Sequence, residues 1–95
     1  MNKKFVRILF DVRVKDLTGS PAYRIFVDKE LFNERVWRWG DDTYLEELIQ
    51  FKAAAGIYQI SIQKIDQTKT EILASNLRID HGDAIGLDNN RFEVY

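Results

Sequence analysis

The chain of 95 residues contains no cysteine, and it has one proline, one histidine and one methionine. Without cysteine, disulfides and thiolate zinc sites are excluded, although cysteine-free proteins occur on both sides of a membrane. No stretch approaches the roughly 18 apolar residues of a membrane-spanning helix. The start resembles a signal peptide only until Arg7, Asp11 and Arg13 interrupt the apolar run. We therefore expect no export signal, no membrane partner, and a location that is cytoplasmic by default or virion-associated.

An excess of charge of either sign is also missing. The chain has 14 basic and 15 acidic side chains, which gives a net charge of -1 at pH 7. A dedicated nucleic-acid binder gains affinity from a basic excess that releases counterions, so we expect no nucleic-acid partner. Hydrophobic residues make up 45% of the chain, which is enough for a packed core, and the length suits one domain over residues 1–95.

Motifs for catalysis are absent from the sequence as well. The chain has no glycine-rich phosphate loop, no G-x-S-x-G elbow and no H-E-x-x-H helix. His81 stands beside Asp80 and Asp83, and a histidine–carboxylate pair can act as a general acid or base. A single histidine in a surface loop is more often only part of the loop. We predict that the chain is not an enzyme.

What the chain does have is a strict alternation of apolar and polar residues. From Phe5 to Lys15 every even position is apolar: Val6, Ile8, Phe10, Val12 and Val14. A period of two predicts a strand with one buried face and one solvated face. Further alternating stretches lie at 23–27, 57–63 and 91–95. Turn residues separate the stretches at intervals that predict an all-β fold of about seven or eight antiparallel strands, arranged as a β-sandwich or a closed barrel.

Residues 44–55 fit two kinds of secondary structure. As a strand, they place Leu45, Glu47, Ile49 and Phe51 on one face. As a short helix, they begin after an aspartate and end before Gly56, which would serve as the C-cap. The strand is favoured because the segments on both sides are predicted strands.

Other boundaries follow from turn residues. One strand is predicted to run from Phe32 through Trp39 and to end at the glycine and two aspartates that follow. Polar residues predict a turn at 66–69 and a loop at 86–90. The strand that begins at Glu71 either continues past Asn76 or restarts after it.

An aromatic face is the first candidate binding site. In an extended strand, side chains point alternately to opposite sides, so four residues share one side: Asn33, Arg35, Trp37 and Trp39. Flat indole rings beside hydrogen-bonding groups suit a sugar or a protein partner. The alternative is that at least one of the two tryptophans fills the core, because tryptophan is usually largely buried.

A calcium site is the second candidate. The last loops carry three aspartates, Asp80, Asp83 and Asp88, and two asparagine amides follow them. Calcium takes six to eight oxygen ligands of this kind. The spacing is not that of an EF-hand loop, and acidic loops are usually only turns. We predict no cofactor, with calcium at these three aspartates as the alternative.

Three segments resemble small carbohydrate-binding modules of the β-sandwich, jelly-roll type. They are Tyr-Arg-Ile-Phe-Val-Asp at 23–28, Ala-Gly-Ile-Tyr-Gln-Ile-Ser-Ile at 55–62 and Ser-Asn-Leu-Arg-Ile-Asp at 75–80. The resemblance spans residues 23–80. It implies sugar binding through exposed aromatics and loop carboxylates, sometimes with calcium, and here these roles would fall on Trp37, Trp39, Asp80 and Asp83.

Together these observations predict a non-catalytic binding module whose ligand is a carbohydrate. The alternative is a small structural or accessory protein of the phage-virion kind. Such a protein would self-associate as a homo-oligomer or bind a protein partner through its exposed strands.

Overall fold

Eight β-strands account for the regular structure of residues 3–65 and 68–95, which the computed structural model describes. In chain order they are β1 (Lys4–Lys15), β2 (Ala22–Val27), β3 (Glu30–Val36), β4 (Leu45–Ala53), β5 (Gly56–Lys64), β6 (Glu71–His81), β7 (Ala84–Leu87) and β8 (Arg91–Val94). None of the described residues lies in a helix, so none belongs to a helix that could cross a membrane. The turn predicted at 66–69 begins with two residues outside the described part.

The strands form two antiparallel sheets that pack face to face. β1 is the centre of a three-stranded sheet with the order β4–β1–β6. The other five strands follow the order β3–β2–β5–β8–β7, and neighbouring strands pair antiparallel throughout. The predicted all-β fold, an antiparallel sandwich, is confirmed.

The core lies between the two sheets and is built on the alternation of β1. All five even-numbered apolar residues of this strand are buried: Val6, Ile8, Phe10, Val12 and Val14. They pack with Tyr23, Ile25 and Val27 on the inner face of β2 and with residues of β4, β5 and β8. Burial of an aliphatic or aromatic side chain stabilises the fold by roughly 1.5–3 kcal/mol. Five such residues on one face of β1 therefore determine which face of the strand turns toward the core.

The segment 44–55 is strand β4 from Leu45 to Ala53, and the helical alternative is wrong. β4 pairs with β1 over nine residues, from Lys4 opposite Ala53 to Val12 opposite Leu45. This pairing puts alternate residues of β4 on the inner side of the sheet. In a helix, the same residues would not all lie on one face.

The strand predicted through Trp39 ends earlier, at Val36. The backbone N–H of Trp37 still donates to the carbonyl of Pro21 (2.8 Å). Its indole Nε1–H, however, donates to the carbonyl of Gly40 (3.3 Å) and closes a short loop. Both tryptophans therefore lie in the β3–β4 connection and not in a strand.

Two features of the C-terminal half were only partly predicted. The predicted loop 86–90 includes the end of β7, a strand of four residues with a glycine inside it, which leaves little alternation to detect. β6 continues through Asn76, whose φ is 55° and whose position coincides with a shift in the β1–β6 register. Such a bulge lets the buried alternation of the strand skip one residue.

Candidate functional site

A pocket of about 400 Å³ opens at the end of the sandwich where β2 turns into β3. Its lining consists of Val27, Asp28, Lys29, Glu30, Phe51 and Tyr58. We call this cavity the end pocket. The end of β2, the two-residue turn and the start of β3 supply the first four residues, and β4 and β5 supply one aromatic side chain each. Three separate parts of the chain therefore meet there because the two sheets face each other.

One wall of the end pocket is aromatic and held in place from behind. The rings of Phe51 and Tyr58 lie edge to face with their centroids 5.7 Å apart. Phe51 also meets Phe32 (5.2 Å), and Tyr58 stacks on the buried Phe92 (5.4 Å). The Tyr58 hydroxyl donates to the carbonyl of Ala54 (2.7 Å). These contacts hold both rings in place, and a preorganised wall lowers the entropic cost of binding.

The other wall is the charged turn, by which we mean Asp28, Lys29 and Glu30. Asp28 has a φ of 53°, a conformation that aspartate tolerates better than most residues. Its backbone N–H donates to the carbonyl of Gln59 (2.8 Å), and its Oδ1 accepts from the backbone N–H of Gln59 (2.9 Å). These two bonds fix the Asp28 carboxylate against β5.

The remaining two side chains of the charged turn have no polar partner in the described part of the chain. Lys29 and Glu30 are exposed, and neither side chain makes an ion pair or a hydrogen bond with residues 3–65 or 68–95. An aromatic wall facing unpaired charged groups can hold a ligand with an apolar face and hydrogen-bonding edges. This arrangement makes the end pocket the candidate binding site of the described residues.

The structure separates the residues of the predicted aromatic face. Asn33 and Arg35 pair with Ile25 and Tyr23, and they point toward the inner side of the sheet. Trp37 is 1% exposed and belongs to the core. The alternative interpretation, in which at least one of the two tryptophans fills the core, is therefore correct for Trp37.

Trp39 is the more accessible of the two indoles. It is 44% exposed and meets the ring of Trp37 edge to face at 5.2 Å. In the β2–β3 hairpin, Ala22 pairs with Val36 at the tryptophan end and Val27 with Glu30 at the turn end. The tryptophans and the end pocket therefore lie roughly 20 Å apart along the strands.

Arg35 contributes to a buried polar group that sequence reasoning missed. Its Nε forms an ion pair with Oε2 of Glu47, without hydrogen-bond geometry, and Glu47 is 1% exposed. The hydroxyl of Tyr23 donates to the same oxygen (3.2 Å). Burial, followed by the neighbouring Glu47 carboxylate, raises the pKa of Tyr23 well above its ordinary value, and Arg35 opposes this shift. In a strand, Glu47 shares its face with the apolar residues Leu45 and Ile49. A carboxylate on an otherwise apolar face is the sequence signal that could have revealed this buried group.

The three aspartates of the predicted calcium site lie in different surroundings. Asp80 pairs with Arg7 (3.3 Å), and Asp83 pairs with Lys4 (3.0 Å). Asp88 lies in the β7–β8 turn, where its carbonyl accepts from Arg91 (3.1 Å). Within the described part of the chain, no group of three or more metal-binding side chains comes together. Calcium at these aspartates stays a prediction.

Sequence analysis did not identify the end pocket as a site. The stretch Asp28-Lys29-Glu30 is short enough to predict a hairpin turn between two strands, and the structure confirms that turn. Nothing in the sequence, however, places Phe51 and Tyr58 opposite it. Comparison of the chain with protein families, with curated proteins and with solved structures finds no match. A functional proposal therefore depends on the geometry of the chain itself.

Proposed function

We propose that the chain is a non-catalytic binding module that holds a carbohydrate unit in the end pocket. The observation that carries this proposal is the aromatic wall of Phe51 and Tyr58 facing the charged turn across about 400 Å³. Small-molecule sites commonly occupy 300–1,000 Å³ and combine apolar walls with a few polar groups. The end pocket has both properties.

A sugar ring matches the two walls for a physical reason. Its C–H groups form an apolar face that packs on an aromatic ring, while its hydroxyls point outward around the rim. Carboxylates accept hydrogen bonds from hydroxyls, and an ammonium group donates to them. The charged turn offers both kinds of group, and it is exposed enough for a ligand to reach.

The proposal moves the docking site away from the aromatic face that the sequence predicts. Trp37 is buried, and Asn33 and Arg35 point toward the inner side of their sheet, so these three side chains are poorly placed to meet a glycan. Trp39 is the most exposed of the four residues. A second contact at Trp39 would require a ligand that reaches along the length of the β2–β3 hairpin.

Calorimetric titration with a panel of oligosaccharides tests the proposal. The panel includes neutral, amino and acidic sugars. We expect at least one member to bind the wild-type chain, and we expect Glu30→Ala to weaken that binding because it removes a carboxylate that accepts hydrogen bonds from hydroxyls. Trp39→Ala is the control and should leave affinity unchanged. A wild-type chain that binds no member of the panel, or a loss confined to Trp39→Ala, contradicts the proposal.

The second candidate function is a structural protein that associates with copies of itself. The observation that favours it is a set of large apolar side chains on the outer faces of both sheets, each about half exposed: Leu31, Leu48, Ile57, Leu73 and Ile85. Apolar surface of this kind often marks a protein interface. Light scattering over a range of protein concentrations distinguishes the two candidates, since a monomer at every concentration excludes self-association.

A further inference from the structure

We propose that the end pocket selects ligands that carry a protonated amine beside an apolar ring, as amino sugars do. This inference rests on the proposed function and names its ligand class. It follows from the sign of the charges that face the pocket and from how firmly each of them is held.

The fixed charge of the pocket is negative. Two bonds to Gln59 hold Asp28 in place, so its carboxylate cannot turn away from an incoming ligand. Glu30 adds a second carboxylate to the lining two residues later.

The positive charge of the pocket is mobile. Lys29 is exposed, and its ammonium sits on a flexible four-carbon stem that makes no polar contact with the described residues. It can therefore extend into water when a cation enters. The two carboxylates of Asp28 and Glu30 and the one ammonium of Lys29 give the rim of the pocket a net charge of about -1. Of these three groups, the carboxylate of Asp28 is the one that hydrogen bonds hold in place.

The aromatic wall adds to the same preference. The faces of Phe51 and Tyr58 carry the negative side of the ring quadrupole, which attracts cations that approach them. An acidic sugar would instead meet two carboxylates and the electron-rich rings. A neutral sugar would bind without using the charge at all. The amine is the group that meets attraction from both walls.

Two oligosaccharides of equal length test this inference because one carries a protonatable amine where the other carries a neutral acetamide. One is an oligomer of glucosamine, and the other is an oligomer of N-acetylglucosamine. At low salt and at a pH where the free amine is protonated, we expect the glucosamine oligomer to bind roughly three- to tenfold more tightly, as one partly screened charge interaction would give. The preference should shrink as salt is added or as the pH rises above the pKa of the amine.

Charge-deleting variants locate the effect. Asp28→Asn keeps a residue that tolerates positive φ and keeps the acceptor for Gln59, so the turn should fold as before. Glu30→Gln is similar in size to the native residue. Each should lower the preference for glucosamine. Glu93→Gln is the matched control, since Glu93 lies exposed on β8 and does not line the pocket.

The outcomes separate this inference from the proposed function. Equal binding of the two oligomers, or a preference that survives both Asp28→Asn and Glu30→Gln, overturns the inference and leaves carbohydrate binding standing. Failure of every oligosaccharide to bind overturns both. A preference for glucosamine that Glu93→Gln lowers as much as Glu30→Gln does shows non-specific attraction to the acidic chain and also overturns the inference.

Discussion

Trp37 and Trp39 are two residues apart, yet they occupy opposite environments. One is 1% exposed and the other is 44% exposed, although they touch edge to face. The difference arises because the chain leaves β3 at Val36 and the indole of Trp37 turns inward to bond the carbonyl of Gly40. Sequence spacing alone would give the two side chains the same role.

This difference leads to a prediction about stability. Trp37→Ala removes a buried aromatic side chain and should lower the free energy of unfolding by roughly 3–5 kcal/mol. Trp39→Ala, the matched control, loses mainly an aromatic contact of about 0.5–1.5 kcal/mol. Urea unfolding of the two variants measures both values. Equal losses would mean that Trp37 is not part of the core.

Tyr23 makes stability depend on pH at the alkaline end. Its pKa is raised in the folded chain, first by burial and then by Glu47, so the folded chain holds the phenolic proton more tightly than the unfolded chain. This contribution is fully present below the ordinary tyrosine pKa of about 10 and is lost as the pH rises through the raised pKa. The free energy of unfolding should therefore fall above a pH of about 10.

The variant Tyr23→Phe isolates this effect. It removes the ionisable group, so urea unfolding across the alkaline range should show a shallower decline than in the wild type. Tyr44→Phe is the control, because Tyr44 is about half exposed and should leave the decline unchanged. An identical decline in wild type and Tyr23→Phe would contradict the account of this buried hydroxyl.

At the scale of the strand, Asn76 shows how one residue sets the register of an element. It has a φ of 55°, and its side-chain amide donates to Oδ2 of the buried Asp11 (3.0 Å). Arg78 donates to the other carboxylate oxygen of Asp11 (3.2 Å). The bulge and these bonds together join β6 to the centre of the three-stranded sheet.

Two substitutions at Asn76 separate backbone strain from the lost hydrogen bond. Asn76→Gly removes the amide but accepts positive φ, whereas Asn76→Ala removes the amide and strains the backbone. We expect the alanine variant to be less stable than the glycine variant by about 1–2 kcal/mol. Thermal unfolding of both variants measures the difference. Equal stability, or a more stable alanine variant, would show that the bulge does not require this conformation.

The strands differ in how well the sequence predicts them, and the reason is physical. β1 buries every second residue over most of its length, so its alternation is unambiguous. β4 alternates in the same way but contains alanine, leucine and glutamate, which also favour helices, and only its pairing with β1 decides the matter. β7 is too short to show a period. Prediction therefore succeeds where burial repeats over several residues.

At the scale of the whole molecule, the candidate site could not be predicted. The sequence predicts a hairpin turn at 28–30, but the pocket exists because Phe51 and Tyr58 reach that turn from two other strands. Which strand ends meet depends on the sheet order, in which β2 neighbours β3 and β5 while β4 lies in the opposite sheet. The local sequence pattern of each strand does not indicate that order.

The same assembly explains why the site lies at an end of the molecule. The sandwich measures 44 × 22 × 19 Å, and its long faces carry scattered apolar and paired charged side chains. At the β2–β3 turn, the aromatic wall of the end pocket lies beside Lys29 and Glu30, whose side chains have no polar partner among the described residues. A ligand bound there would leave both outer faces free.

The central claim is that the end pocket, and not the tryptophan loop, receives the carbohydrate. Heteronuclear NMR of the isotope-labelled chain, titrated with the glucosamine oligomer, tests it most directly. We predict that the largest amide shifts occur at residues 27–30 and around Phe51 and Tyr58, while the indole N–H of Trp39 stays in place. Shifts concentrated at Trp39, or no shift at any amide at the highest ligand concentration, would contradict the claim.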